Sequence, residues 1–73
     1  DRGEQARAVA QPIRYALGEG AAFHCLSLAS YRAGDLEASA RESRQALEAF
    51  RKGNSRDDQA LALTQLARVE RDR

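Results

Sequence analysis

Seventy-three residues with twelve basic and eleven acidic side chains make one domain of modest core. Its net charge of +1 gives no long-range pull toward nucleic acid or an anionic membrane. The single cysteine, Cys25, rules out an internal disulfide, so a reducing cytoplasm fits the composition, and no apolar run approaches the roughly 20 residues that span a bilayer.

Along the chain, Ala6, Val9, Ala10, Ile13, Ala16 and Leu17 follow helical spacing and predict a first helix from about Glu4 to Leu17. Pro12 lies inside it and predicts a kink or a late start, because an internal proline costs on the order of 3 kcal/mol. Gly18-Glu19-Gly20 is read as the break that ends it. Phe23, Leu26 and Ser30, with Ala22 and Ala29 beside them, then form the apolar and small face of a second helix ending near Arg32. Gly34 closes that helix and Asp35 caps a third, in which Leu36, Ala40, Ser43, Ala46, Leu47 and Phe50 form a stripe up to about Lys52. Gly53-Asn54-Ser55 supplies a turn with positive φ and a cap, and Asp57 and Asp58 suit the positive end of a fourth helix filled by Leu61, Leu63, Leu66, Ala67 and Val69. The expectation is an all-α domain of about four antiparallel helices, with a core leaning on Ala6, Ala8, Ala22, Ala29, Ala40, Ala46 and Ala67.

Segments of the chain also echo one another. Phe23, Leu26, Ser27 and Ser30 correspond to Leu63, Leu66, Ala67 and Glu70, and Arg2-Gly3-Glu4 with Ala8 corresponds to Ala33-Gly34-Asp35 with Ser39. Phe23, Leu26, Ser27, Gly34, Asp35, Ser39, Ala46 and Leu47 fill the places of the tetratricopeptide repeat motif, and the chain resembles that family over nearly all its length. The stretch from Ala46 to Val69 is similar to the longer repeat variant of bacterial regulators and eukaryotic scaffold proteins. The first unit is shorter than the usual period, the second longer, and Pro12 stands where the family has a packed residue. The resemblance implies stacked helical hairpins forming a short right-handed solenoid across residues 1–73. Asp1 in first place and a helical pattern running to Arg73 suggest a piece of a longer array or parent protein.

Chemistry-bearing residues are few. His24 and Cys25 are adjacent and so point about 100° apart on a helix, with no other histidine or cysteine to complete a metal site, and Cys25 reads as an ordinary buried or half-buried residue. Neither a catalytic triad order nor a phosphate-cradling glycine loop is present, and the chain reads as neither an enzyme nor a cofactor protein. The resemblance implies instead a trough lined by the first helix of each hairpin. It would show Ala21, His24, Cys25, Leu28, Tyr31 and Arg32 from one helix and Leu61, Thr64, Gln65, Arg68 and Arg71 from the other. Arginine forks suit carboxylates, and Leu28 and Tyr31 offer apolar footholds, so the partner expected is a protein or peptide with acidic groups and one or two hydrophobic anchors.

The leading expectation is a protein-interaction scaffold, set within a bacterial regulatory or signalling protein. A small secretion chaperone is the first alternative, and a helix-turn-helix DNA-binding domain the second. Arg68, Arg71 and Arg73 alternate with Glu70 and Asp72, which cancels the local field that DNA would need. A homodimer through an uncapped end bearing Ala62, Leu66 and Val69 is a further expectation.

Overall fold

Two short turns divide the chain into three helices: α1 (Arg2–Arg32), α2 (Leu36–Lys52) and α3 (Arg56–Asp72). The computed structural model describes the backbone of residues 2–73 and the side chains of residues 12–73. No strand occurs among the described residues, so the domain is all-α. The side chains of Ala6, Ala8, Val9 and Ala10 lie outside the described residues.

Both turns use one device. Gly34 takes a φ of +84°, Gly34 N–H donates to Tyr31 O at 3.1 Å, and Asp35 N–H donates to Ser30 O at 2.9 Å, the paired bonds of a Schellman closure. Asp35 then caps α2 by accepting from Ala38 N at 3.1 Å. At the second turn Asn54, with a φ of 58°, takes the left-handed place, and Asn54 N and Ser55 N bond to Arg51 O and Phe50 O. Ser55 caps α3 and also donates to Asp58 Oδ2 at 2.7 Å. Each turn therefore satisfies the end of one helix and the start of the next within three residues, which forces antiparallel neighbours.

The expected four helices are three, because the Gly18–Gly20 segment is helical and α1 runs unbroken for 31 residues. Glycine weakens a helix by about 1 kcal/mol relative to alanine, yet it also permits an approach that no other residue allows. A Cβ on Gly20 would stand 2.6 Å from two ring atoms of Phe50, so the position is occupied by the ring of α2's one aromatic residue. Gly53, the C-cap of α2, answers it: a Cβ there would stand 2.5 Å from Leu17 Cδ2. Pro12 likewise sits inside α1 and not at its start. Its missing N–H leaves one carbonyl of the preceding turn without its helical bond, a local cost that does not end the helix.

Two turns away from the Gly20–Phe50 contact the same two helices meet through serines. Ser27, Ser39 and Ser43 are fully buried. Ser39 Oγ donates to Ser27 O at 2.8 Å and Ser27 Oγ donates to Ser39 O at 2.9 Å. Ser43 Oγ lies 2.5 Å from Ser27 Oγ, and with the other two protons directed at carbonyls it is the donor there. Every hydroxyl proton thus has an acceptor, which removes the penalty for burying three polar groups. Ser30 extends the contact by donating to Glu42 Oε1 at 2.8 Å.

The apolar core is small: Ala46, Phe50 and Ala62, with Leu17, Phe23 and Leu47 packed against them, and Val69 fully buried farther along α3. Of the alanines expected inside, Ala40 and Ala46 are buried, whereas Ala22, Ala29 and Ala67 are exposed. Leu26 and Leu63, also expected inside, are 53% and 52% exposed. The reason is architectural. α1 touches neighbours on one side only, so the face bearing Ala22, Cys25, Leu26 and Ala29 has no helix against it, and Cys25, expected buried or half-buried, is exposed.

Three expectations follow for stability. Gly20→Ala should lower stability by about 1–2 kcal/mol, since overpacking against Phe50 outweighs the helix-propensity gain. Gly18→Ala meets nothing within 4 Å and should raise it by up to about 1 kcal/mol. Thermal unfolding followed by circular dichroism decides the pair, and equal shifts would contradict the close approach. Gly34→Val, at positive φ, should cost roughly 1 kcal/mol or more. An unchanged melting curve would reject that turn geometry.

Candidate functional site

The residues expected to line a trough fall into two groups. α1 and α3 both run antiparallel to α2 and so parallel to each other, which brings Tyr31, one residue from the end of α1, to the last turn of α3. The Arg68 guanidinium lies 5.9 Å from the Tyr31 ring centroid, within the range of a cation–π contact. Tyr31 Oη donates to Asp72 Oδ2, and Arg71 Nε is 3.5 Å from Asp72 Oδ1. Tyr31, Arg68 and Arg71 therefore form one cluster, closed by a carboxylate.

Thr64, Ala67, Arg68 and Arg71 line a shallow concavity of about 450 Å³ on α3. Its floor is low because Thr64 and Ala67 are short, and its walls are the two arginines. Thr64 Oγ1 donates to Ala60 O at 2.8 Å, which leaves its methyl group and lone pair to the outside. Leu61 is 54% exposed one turn toward the N-terminus of α3, and Arg32 is exposed at the end of α1. His24 and Leu28 are half-buried on α1. Gln65 differs from expectation. It is 3% exposed with its Nε2 unpartnered, so it lies under the face and not on it. Ala62 and Val69, expected at a dimer surface, are fully buried against the rest of the domain.

Around the cluster, ion pairs fix the end of α3. Arg44 reaches Glu70 at 3.0 Å from α2, and Arg73 reaches Glu70 and Glu37 at 3.4 and 3.7 Å. These pairs are exposed and each is worth little, but together they use up Glu70, leaving Asp72 as the acid facing the Arg68–Arg71 cluster. Asp72 was not among the expected site residues. Its signal was available: it stands four residues after Arg68, on the same side of a helix.

A larger concavity, about 760 Å³, lies at the other end of the molecule among Pro12, Ile13, Tyr15, Ala16, Glu19, Ala49 and Lys52. It forms because α1 continues past the end of α2, and it presents mainly apolar side chains, with Tyr15 75% exposed. No group of three or more histidine, cysteine or acidic residues suited to a metal ion occurs among the described residues. None of the described helices is long and apolar enough to cross a membrane.

Comparison with known proteins finds no matching family model, no matching curated protein and no matching solved structure.

The Tyr31–Asp72 contact is a pH-limited clasp. The hydrogen bond to Asp72 is the main cause that raises Tyr31 above its ordinary value of 10.0, and the hydrogen bond from Tyr31 is the main cause that holds Asp72 below 3.8. A depressed carboxyl contributes above its unfolded value and loses that contribution as pH falls through its folded one; a raised phenol contributes below its unfolded value and loses it as pH rises. The clasp is therefore fully present between the two ordinary values. Asp72→Ala should bring the Tyr31 titration, followed by ring ¹³C shifts, down in pH. A midpoint that does not move would show that the two side chains do not meet in solution.

Proposed function

We propose that this chain is a protein-interaction module, a short stack of antiparallel helical hairpins of tetratricopeptide type. Its basic α1–α3 face receives a peptide or partner helix bearing carboxylates and one or two apolar anchors. The observation that carries the reading is the Tyr31–Arg68–Arg71 cluster, in which an arginine stacked on an aromatic ring and a second arginine flank a shallow, short-floored groove. Such a surface binds a carboxylate by charge-assisted hydrogen bonds while apolar carbon from Leu28, Leu61 and the tyrosine ring supplies footholds. Asp72 illustrates the chemistry from within, since its carboxylate already sits where the hydroxyl of Tyr31 and the Nε of Arg71 meet. A ligand carboxylate takes over or adds to those contacts.

A scaffold role also suits the domain's economy. A core built from alanine, one buried phenylalanine and paired serines presents much of its surface as helix faces, and those faces suit contact with other chains. The setting we favour is a larger regulatory or signalling protein of bacterial type, with the module holding a partner or an effector segment.

The test is fluorescence anisotropy with a labelled synthetic helical peptide carrying two adjacent aspartates and a leucine three residues on, against the same peptide with lysines for aspartates. The acidic peptide should bind, with affinity falling as salt is raised. Arg68→Glu/Arg71→Glu should weaken it by about tenfold or more without loss of helicity. Equal binding of both peptides, or retained binding by the double variant, would sink the reading. Tighter binding of a DNA duplex than of the acidic peptide would favour the DNA-binding alternative instead.

A further inference from the structure

The outer face of α3 is complementary to itself. Asp57, Thr64 and Arg71 are spaced at seven-residue intervals, so they align along one side of the helix, with Leu61 between the first two and Ala67 and Arg68 between the last two. All six side chains are exposed. Asp57 and Asp58 stand in the first turn of α3 and Arg71 in the last, so Asp57 and Arg71 put opposite charges at the two ends of this row of side chains. A second α3 turned antiparallel about a two-fold axis at Thr64 places Asp57 against Arg71 at both ends. It also places Leu61 against Ala67, over the concavity that Thr64, Ala67, Arg68 and Arg71 line. Small side chains at Ala60, Thr64 and Ala67 allow the two helices to approach closely.

We propose that the segment occupying the basic face is the first turn of α3 from a second copy of this chain, Asp57 to Leu61, the copies crossing antiparallel at Thr64. The proposal rests on the reading of this face as a site for an acidic segment with an apolar anchor, and that segment, Asp57-Asp58-Gln59-Ala60-Leu61, has that composition. The only ion pair that Arg71 makes among the described residues is with its neighbour Asp72 at 3.5 Å, and its side chain is 76% exposed, so its guanidinium is open to a second carboxylate. Leu61, 54% exposed, gains cover on both copies at once because a two-fold contact uses every residue twice. The dimer uses a different surface from Ala62 and Val69, which are fully buried within the domain.

One helix pair gives an interface at the small end of the specific range, so self-association is measured by sedimentation equilibrium from about 10 to 500 μM. The wild-type chain should form dimers. Asp57→Arg alone and Arg71→Asp alone should each raise the dissociation constant about tenfold or more, because each sets like charges against each other at both ends. An equimolar mixture of the two variants should recover association, since every crossed pair is then an arginine with an aspartate. Thr64→Glu, which places like charges on the axis at an exposed helical position, should also give monomers, with circular dichroism checking that each variant is folded. A wild-type chain that stays monomeric, a mixture no stronger than its components, or a dimer indifferent to all three substitutions would overturn the proposal. A monomeric wild type that binds the acidic peptide overturns self-association alone. A monomeric wild type that ignores the peptide overturns the reading of the face as well.

Discussion

Close approach of α1 and α2 is the constraint on which the rest of this molecule depends. At Gly20 the ring of Phe50 occupies the space of a missing side chain, and two to three turns on, Ser27 interlocks with Ser39 and Ser43. Apolar burial alone would be thin here, since alanine removes little area from water. Packing density and satisfied hydrogen bonds supply what area does not, and both fall steeply if the helices separate. The single large ring in the buried set therefore lies where the backbone of the opposite helix has no side chain.

The position of α3 follows from that seam. Asn54 turns the chain back within three residues, and Ala62 fits against Ala46 and Phe50, so α3 lands beside α1 with its last turn next to Tyr31. α3 alone does not make the cluster: the Arg68 guanidinium lies over the Tyr31 ring of α1, and the Tyr31 hydroxyl and Arg71 both meet Asp72. The contacts of Tyr31 with Arg68 and Asp72 thus depend on the relative height of two helices that barely touch each other and are held by a third.

The sequence was most legible where local chemistry has one solution. Gly34 and Asp35 read as a left-handed residue followed by a cap, and Asn54 and Ser55 as the same pair, because few residue types serve those backbone states. Gly18 and Gly20 were misread as a break because a glycine that ends a helix and a glycine that admits a neighbour look alike until the neighbour is known. Leu26, Ala22 and Ala29 have helical spacing suited to a core, but burial depends on a partner helix, and α1 has one on its other side only. The tetratricopeptide resemblance puts Gln65, like Cys25, among trough-lining positions on an open face. α3, unlike α1, has a helix on that side, which puts Gln65 inside and leaves Cys25 outside. In the proposed face the arginines and the tyrosine stand out in the sequence; Asp72 stands in register four residues after Arg68, but its contact with Tyr31 depends on the distance between the ends of two helices far apart in sequence.

The most direct test of the central claim is a ¹³C-edited nuclear Overhauser spectrum of the uniformly labelled protein, read for cross-peaks between the Gly20 Hα protons and the Phe50 ring. The account predicts strong cross-peaks, because a Cβ built on Gly20 would lie 2.6 Å from the ring. Absence of those cross-peaks, with Phe50 ring protons instead seeing only α3, would mean that α1 and α2 do not meet at this seam and that the basic face is not built as described.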